Sequence, residues 1–250
     1  MRYRETNWKY ERGLETRRYQ LAFNYVSSLD TVQEQRKRTE RLSLVMFIHD
    51  PTKSELVNIC RNFKLNDPSF AFDENKRFHV TLLGFPPIAP GYYHKISRKI
   101  DEFIKISQTD FSVKLDQVRL GTKYEKKNSL NPTAGTSNGT IIAFGNSNSN
   151  KDFNTYGNKL ISFLIQDNHM NIEFGGTQRR RFPTVWCTMG YYTRDFTITK
   201  NLESLISKYD NLDESMFEIP CSELELGLSN YKDLRDWRLI QRFVLSKETD

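Results

Sequence analysis

The chain has 250 residues, of which 37% are hydrophobic and 27% charged, with a net charge of +6. That is enough apolar material to fill the core of one large domain or two small ones. With a mean hydropathy of −0.66 and no apolar run near the roughly 20 residues of a membrane span, the chain reads as water-soluble. Cys60, Cys187 and Cys221 are odd in number and lack CxxC spacing. Both facts argue against a disulfide framework or a zinc site and for a reducing interior. Residues 1–5 carry no apolar signal core, so a cytoplasmic location is expected. The modest basic excess suits a polyanionic ligand, and equally suits an ordinary solvated Lys/Arg surface.

Residues 1–41 carry ten Lys/Arg against six Asp/Glu, densest at Arg36-Lys37-Arg38. Leu14, Leu21, Phe23, Tyr25 and Val26 have partly helical spacing, so this segment is expected to be an N-terminal helical extension. An apolar strand follows over 42–48 and is ended by Pro51. A helix over 52–63 opens on Thr52-Lys53-Ser54-Glu55, a capping-box pattern. After a strand over 78–85, a helix over 92–107 puts Ile96, Ile100, Phe103 and Ile104 on one face. Residues 111–120 read as a strand, 123–139 as a long polar loop, and 140–144 as a short strand. A helix over 152–166 carries Phe153, Tyr156, Leu160, Phe163 and Leu164. A loop over 167–181 ends in Arg179-Arg180-Arg181, before a strand over 182–191. A helix over 201–209 and strands over 221–228 and 237–245 complete the chain.

Two of these strands carry the candidate chemistry. In Phe78-His79-Val80-Thr81-Leu82-Leu83-Gly84-Phe85, His79 and Thr81 are two residues apart and share one strand face. An imidazole and a hydroxyl fixed there can move a proton and contact a phosphate. The second strand runs Phe182-Pro183-Thr184-Val185-Trp186-Cys187-Thr188-Met189-Gly190-Tyr191. Aligning Thr188 with Thr81 puts Trp186 level with His79. Cys187 then faces away, which argues against a thiol nucleophile. Arg179, Arg180 and Arg181 offer forked donors suited to phosphate. Tyr191 and Tyr192 offer hydroxyl donors. His169 lies in the preceding loop, and His49 and His94 read as surface residues. There is no Walker-type glycine loop and no metal-ligand spacing.

On these two motifs and the order of elements over residues 42–245, the chain resembles the 2H phosphoesterase superfamily, the LigT-like or cyclic phosphodiesterase group. The first His-x-Thr motif is intact at His79-Val80-Thr81, and the second is degenerate at Trp186-Cys187-Thr188. The resemblance implies an α+β fold with two pseudo-symmetric lobes, antiparallel sheets flanked by helices, in one domain over 42–250. The lobes are expected at about 42–120 and 140–250, with strand exchange between them possible. It implies a cleft carrying His79, Thr81, Trp186 and Thr188, with His79 as general acid or base and the threonines on phosphate oxygens. Trp186, Arg179, Arg181 and Tyr191 are the expected substrate-binding residues. The ligand class it implies is RNA ends or small nucleotides with 2′,3′-cyclic or 2′,5′ phosphodiester linkages. No metal, cofactor or membrane is expected, and the oligomeric state is not legible.

The departure bears on catalysis. An indole N–H donates a hydrogen bond but does not exchange a proton near neutral pH. Where a second imidazole is expected, this chain offers none in the motif. Three outcomes follow from the residues: a slow enzyme resting on His79, one rescued by His169 or a tyrosine, or a nucleotide- or RNA-binding module on the same scaffold. A cleft plugged by Trp186 would make it a pure interaction protein.

Overall fold

The computed structural model describes residues 18–19, 37–86, 88–107, 111–122, 137–166, 185–193, 196–197, 200–231 and 234–245. In chain order the strands are β1 (Arg18–Tyr19), β2 (Lys37–Phe47), β3 (Phe70–Ala71), β4 (His79–Gly84), β5 (Ser112–Lys114) and β6 (Gln117–Thr122). They continue with β7 (Ser137–Gly145), β8 (Val185–Tyr192), β9 (Phe196–Thr197), β10 (Glu218–Pro220), β11 (Glu223–Tyr231) and β12 (Arg238–Val244). The helices are α1 (Thr52–Asn66), α2 (Tyr93–Ile106), α3 (Lys151–Ile165), α4 (Lys200–Ser207) and α5 (Glu214–Phe217).

Two four-stranded antiparallel sheets dominate, in the orders β12-β11-β2-β4 and β3-β8-β7-β6. The C-terminal β11 and β12 complete the first sheet, and β3, from the first half of the chain, edges the second. The expected lobe ranges therefore describe the order of elements but not sheet membership. The helices cross over too: α1 packs on β8, and α3 packs on β4 and α2. The fold is α+β, antiparallel sheets with helices outside, as the sequence leads one to expect. One hydrophobic core runs through both sheets, from Leu44 and Val80 to Ile141 and Met189. Phe103, Tyr156 and Phe163 join α2 to α3, with ring centres 5.3 and 5.5 Å apart.

Several boundaries differ from the sequence reading. The first core strand begins at Lys37, inside the expected extension, because β11 is long enough to pair Tyr231 with Lys37. The helical pattern expected over residues 14–26 lies outside the described residues, apart from Arg18–Tyr19, which pair with Phe196–Thr197. The single strand expected over 111–120 is two. Val113 pairs with Ile219, whereas Val118 pairs with Ala143. The ladder changes partner at Asp116, whose carboxylate accepts two bonds of 2.7 Å from the backbone and side chain of Asn146. The capping box at Thr52 does not form: the Thr52 hydroxyl donates to the Met216 carbonyl at 2.7 Å. Asp50 caps instead, accepting from the Ser54 N–H at 3.1 Å.

Candidate functional site

Cross-strand partners on an antiparallel ladder share a face. His79 pairs with Phe47, Thr81 with Val45, Val45 with Glu225, and Glu225 with Arg242. His79 and Thr81 thus share one face of the first sheet with a carboxylate, a guanidinium and an aromatic ring. His79 is 8% exposed, with its ring centre 6.1 Å from that of Phe47. Its Nδ1 lies 3.4 Å from the Arg77 carbonyl oxygen. A carbonyl only accepts, so this contact favours the tautomer with the proton on Nδ1 and the basic lone pair on Nε2.

Beside His79 lies a cluster that the sequence did not disclose. Glu225 is 2% exposed and accepts from Arg242 Nη2 at 2.8 Å, Trp237 Nε1 at 2.8 Å and Arg77 Nη2 at 3.2 Å. Burial works against its charge. The hydrogen bonds from Arg242 and Trp237, with the charges of Arg77 and Arg242, outweigh that and hold its pKa below the usual carboxylate value. Arg77 also stacks its guanidinium 3.6 Å from the centre of the Phe47 ring. Arg242 also lies 3.6 Å from Glu223, so on this face two guanidiniums stand against two carboxylates. The indole of Trp237 reaches Glu225 across Gly227, where an added Cβ would fall 2.5 Å from the ring. The signal in the sequence was an acid set between two leucines, Leu224-Glu225-Leu226, followed by Gly227.

The second face is built the same way. Trp186 pairs with Phe144, Thr188 with Ile142, Ile142 with Arg119, and Tyr191 with Thr140. Arg119, another residue the sequence reading passed over, stacks its guanidinium 3.0 Å from the Phe144 ring centre. Trp186 is 40% exposed while Tyr191 is 2% exposed. Cys187 faces the core, and burial pushes its thiol up to about 11. Cys60 and Cys221 are buried as well, and burial likewise raises both thiols.

The two motif strands share one irregularity. On β4 the register steps from Leu44↔Leu83 to Val45↔Thr81, leaving Leu82 as an extra residue. On β8 it steps from Ile141↔Gly190 to Ile142↔Thr188, leaving Met189 extra. Each threonine is thus followed at once by a bulge residue, and bulges bend a strand and re-aim its side chains. Counted back from the bulge, His79 and Trp186 hold equivalent positions. The strands also lie against each other.

Residues of both faces meet in a pocket of about 250 Å³, lined by Arg77, Trp237 and Leu234 from the first side and Met189 and Tyr191 from the second. Of the expected binding residues, Tyr191 lies in this pocket and Trp186 beside Thr188 on β8. Arg179, Arg180, Arg181 and His169 lie outside the described residues. Tyr192 is fully buried under Phe70. His49 is 70% exposed and His94 exposed. Among the described residues, no cluster of His, Cys, Asp and Glu is arranged to hold a metal ion. No helix among them is long and apolar enough to cross a membrane.

No protein-family profile matches the chain, and no curated protein matches it in sequence. Solved structures with a similar arrangement include the following three. E. coli LigT in apo form is 14% identical, with a TM-score of 0.48 over 83% of this chain and 98% of that one. E. coli LigT complexed with 3′-AMP is 13% identical, with a TM-score of 0.47 over 83% and 99%. A crystal structure described as a phosphoesterase is 14% identical, with a TM-score of 0.45 over 83% and 99%.

Proposed function

We propose that this chain is a divergent 2H phosphoesterase that acts on RNA ends or small nucleotides with 2′,3′-cyclic or 2′,5′ phosphodiester linkages. The observation that carries the reading is the paired bulge geometry: two threonines, each just before a bulge, on neighbouring strands, with His79 and Trp186 at equivalent positions. Thr81 and Thr188 donate to phosphate oxygens. His79 Nε2 takes a proton from water as the oxygen adds to phosphorus. The bond from phosphorus to one ribose oxygen then breaks, and that oxygen takes its proton from solvent, since no second motif imidazole stands opposite. Trp186 offers a half-exposed ring for a nucleobase, a contact worth ~1–3 kcal/mol. Arg179 and Arg181 hold the outer phosphates. The domain takes in β2 from Lys37 onward, and the setting is the cytoplasm.

A second reading is a binding module that keeps the cleft and has lost the chemistry. The exposed indole at the second motif position favours it. Turnover of a 2′,3′-cyclic nucleotide by wild type and His79→Ala separates the two. The enzyme reading expects a drop of about 10²–10⁴-fold in the variant. Equal background rates in both would leave only the binding module.

A further inference from the structure

Lys76 has no role in the site described so far. It is 8% exposed, and its ammonium is sealed from solvent without a hydrogen-bond partner among the described residues. What it has instead are the ring faces of Tyr191 and Phe78, with centres 5.3 and 5.9 Å away. A cation–π contact offsets only part of the cost of burying an ammonium with none of its three donors used. Lys76 also lines the pocket where the two faces meet.

Arg77 and Arg235 line the same pocket, and Asp73 is its one carboxylate. Asp73 already accepts from the Asn75 N–H at 2.9 Å, and Arg77 is shared with buried Glu225. Counted as formal charges, Lys76, Arg77 and Arg235 outnumber Asp73 and the Glu225 bound to Arg77 by one, and the ring of Trp237 lies on the pocket wall. We infer that this pocket is an anion subsite: Lys76, on its four-carbon stem, swings onto a terminal phosphate monoester of the nucleotide whose phosphodiester lies at His79. The anion supplies the partner that the ammonium lacks. A charged hydrogen bond of this kind raises affinity by about 10–100-fold. The inference deepens the nucleotide-cleft reading, naming phosphomonoester-bearing ligands as its preferred class.

The test measures calorimetric binding of adenosine 2′,3′-cyclic phosphate with and without a 5′-phosphate, and of inorganic pyrophosphate. The proteins are wild type, Lys76→Met and Arg235→Gln, each first checked for a native circular dichroism spectrum. Wild type is expected to prefer the 5′-phosphorylated ligand by about tenfold or more. Lys76→Met loses that preference while binding the unphosphorylated ligand as before, and Arg235→Gln, at the rim, loses part of it. Equal binding of both cyclic nucleotides by wild type, or an unchanged preference in Lys76→Met, would overturn the subsite and leave the cleft reading standing. Pyrophosphate binding that needs Lys76, with neither cyclic nucleotide bound, would keep the subsite and overturn the cleft reading. Binding of none of the three would overturn both. If Lys76→Met does not fold, Arg235→Gln decides, and an unchanged preference there counts against the subsite.

Discussion

Glu225 shows how much one side chain organises here. It ties β11 to β12 through Arg242, to the segment before β4 through Arg77, and to Trp237 through the indole N–H. Its folded pKa is lowered from the ordinary value of 4.5. Below that value the unfolded chain binds a proton that the folded chain refuses. The stabilisation is therefore fully present above about pH 4.5 and is lost as pH falls through the lowered folded value. Urea midpoints taken from about pH 6 to about pH 3 should fall on acidification. Glu225→Gln should flatten part of that fall and cost about 1–3 kcal/mol at neutral pH, because Arg77 and Arg242 lose their counter-charge. A midpoint profile unchanged by the substitution would show that the cluster contributes nothing to stability.

At the scale of elements, β11 has to leave room for an indole. Gly227→Val would put a branched side chain where the Trp237 ring now lies. The expected result is a loss of about 1–3 kcal/mol in stability and a red-shifted tryptophan emission as the ring is displaced. An unshifted spectrum would contradict the packing.

The same strand shows what was legible beforehand. Period-2 alternation in Leu224, Leu226 and Leu228 marks a half-buried strand, and the helical spacing of Ile96, Ile100 and Phe103 marks an amphipathic helix. These patterns need only local spacing. The site was legible where it rested on such spacing, as at His79-Val80-Thr81 and Trp186-Cys187-Thr188. It was not legible where partners are distant in the chain. Arg77 and Glu225 are 148 residues apart, and nothing local to either announces the pair. The run over 111–120 reads as one strand only if a slip is overlooked: its apolar alternation at 111, 113 and 115 resumes one residue late at 118 and 120. The ladder changes partner in that slip, where Asp116 accepts bonds from Asn146. Nothing in the sequence singles out Lys76; only the fold brings Tyr191 of β8 over it.

For the molecule as a whole, the exchange of strands has a consequence for unfolding. β11 and β12 complete a sheet begun by β2 and β4, β3 crosses to the other sheet, and the core is continuous through both. Loss of either sheet exposes core that it shares with the other. Trp237 reports on the first sheet and Trp186 on the second, while far-ultraviolet circular dichroism reports on both. Urea transitions followed by fluorescence of Trp8→Phe/Trp186→Phe, of Trp8→Phe/Trp237→Phe and by circular dichroism should each match, with one midpoint per protein. Separated midpoints within one protein would mean that the lobes unfold as independent units.

The central claim is that His79 and Trp186 occupy the two equivalent positions of one phosphodiester site. The most direct measurement is the rate at which Trp186→His turns over a 2′,3′-cyclic nucleotide, beside wild type. The account predicts a gain of about 10²-fold or more, the contribution of one well-placed acid or base, abolished again in the His79→Ala/Trp186→His double variant. A natively folded Trp186→His no faster than wild type would contradict it.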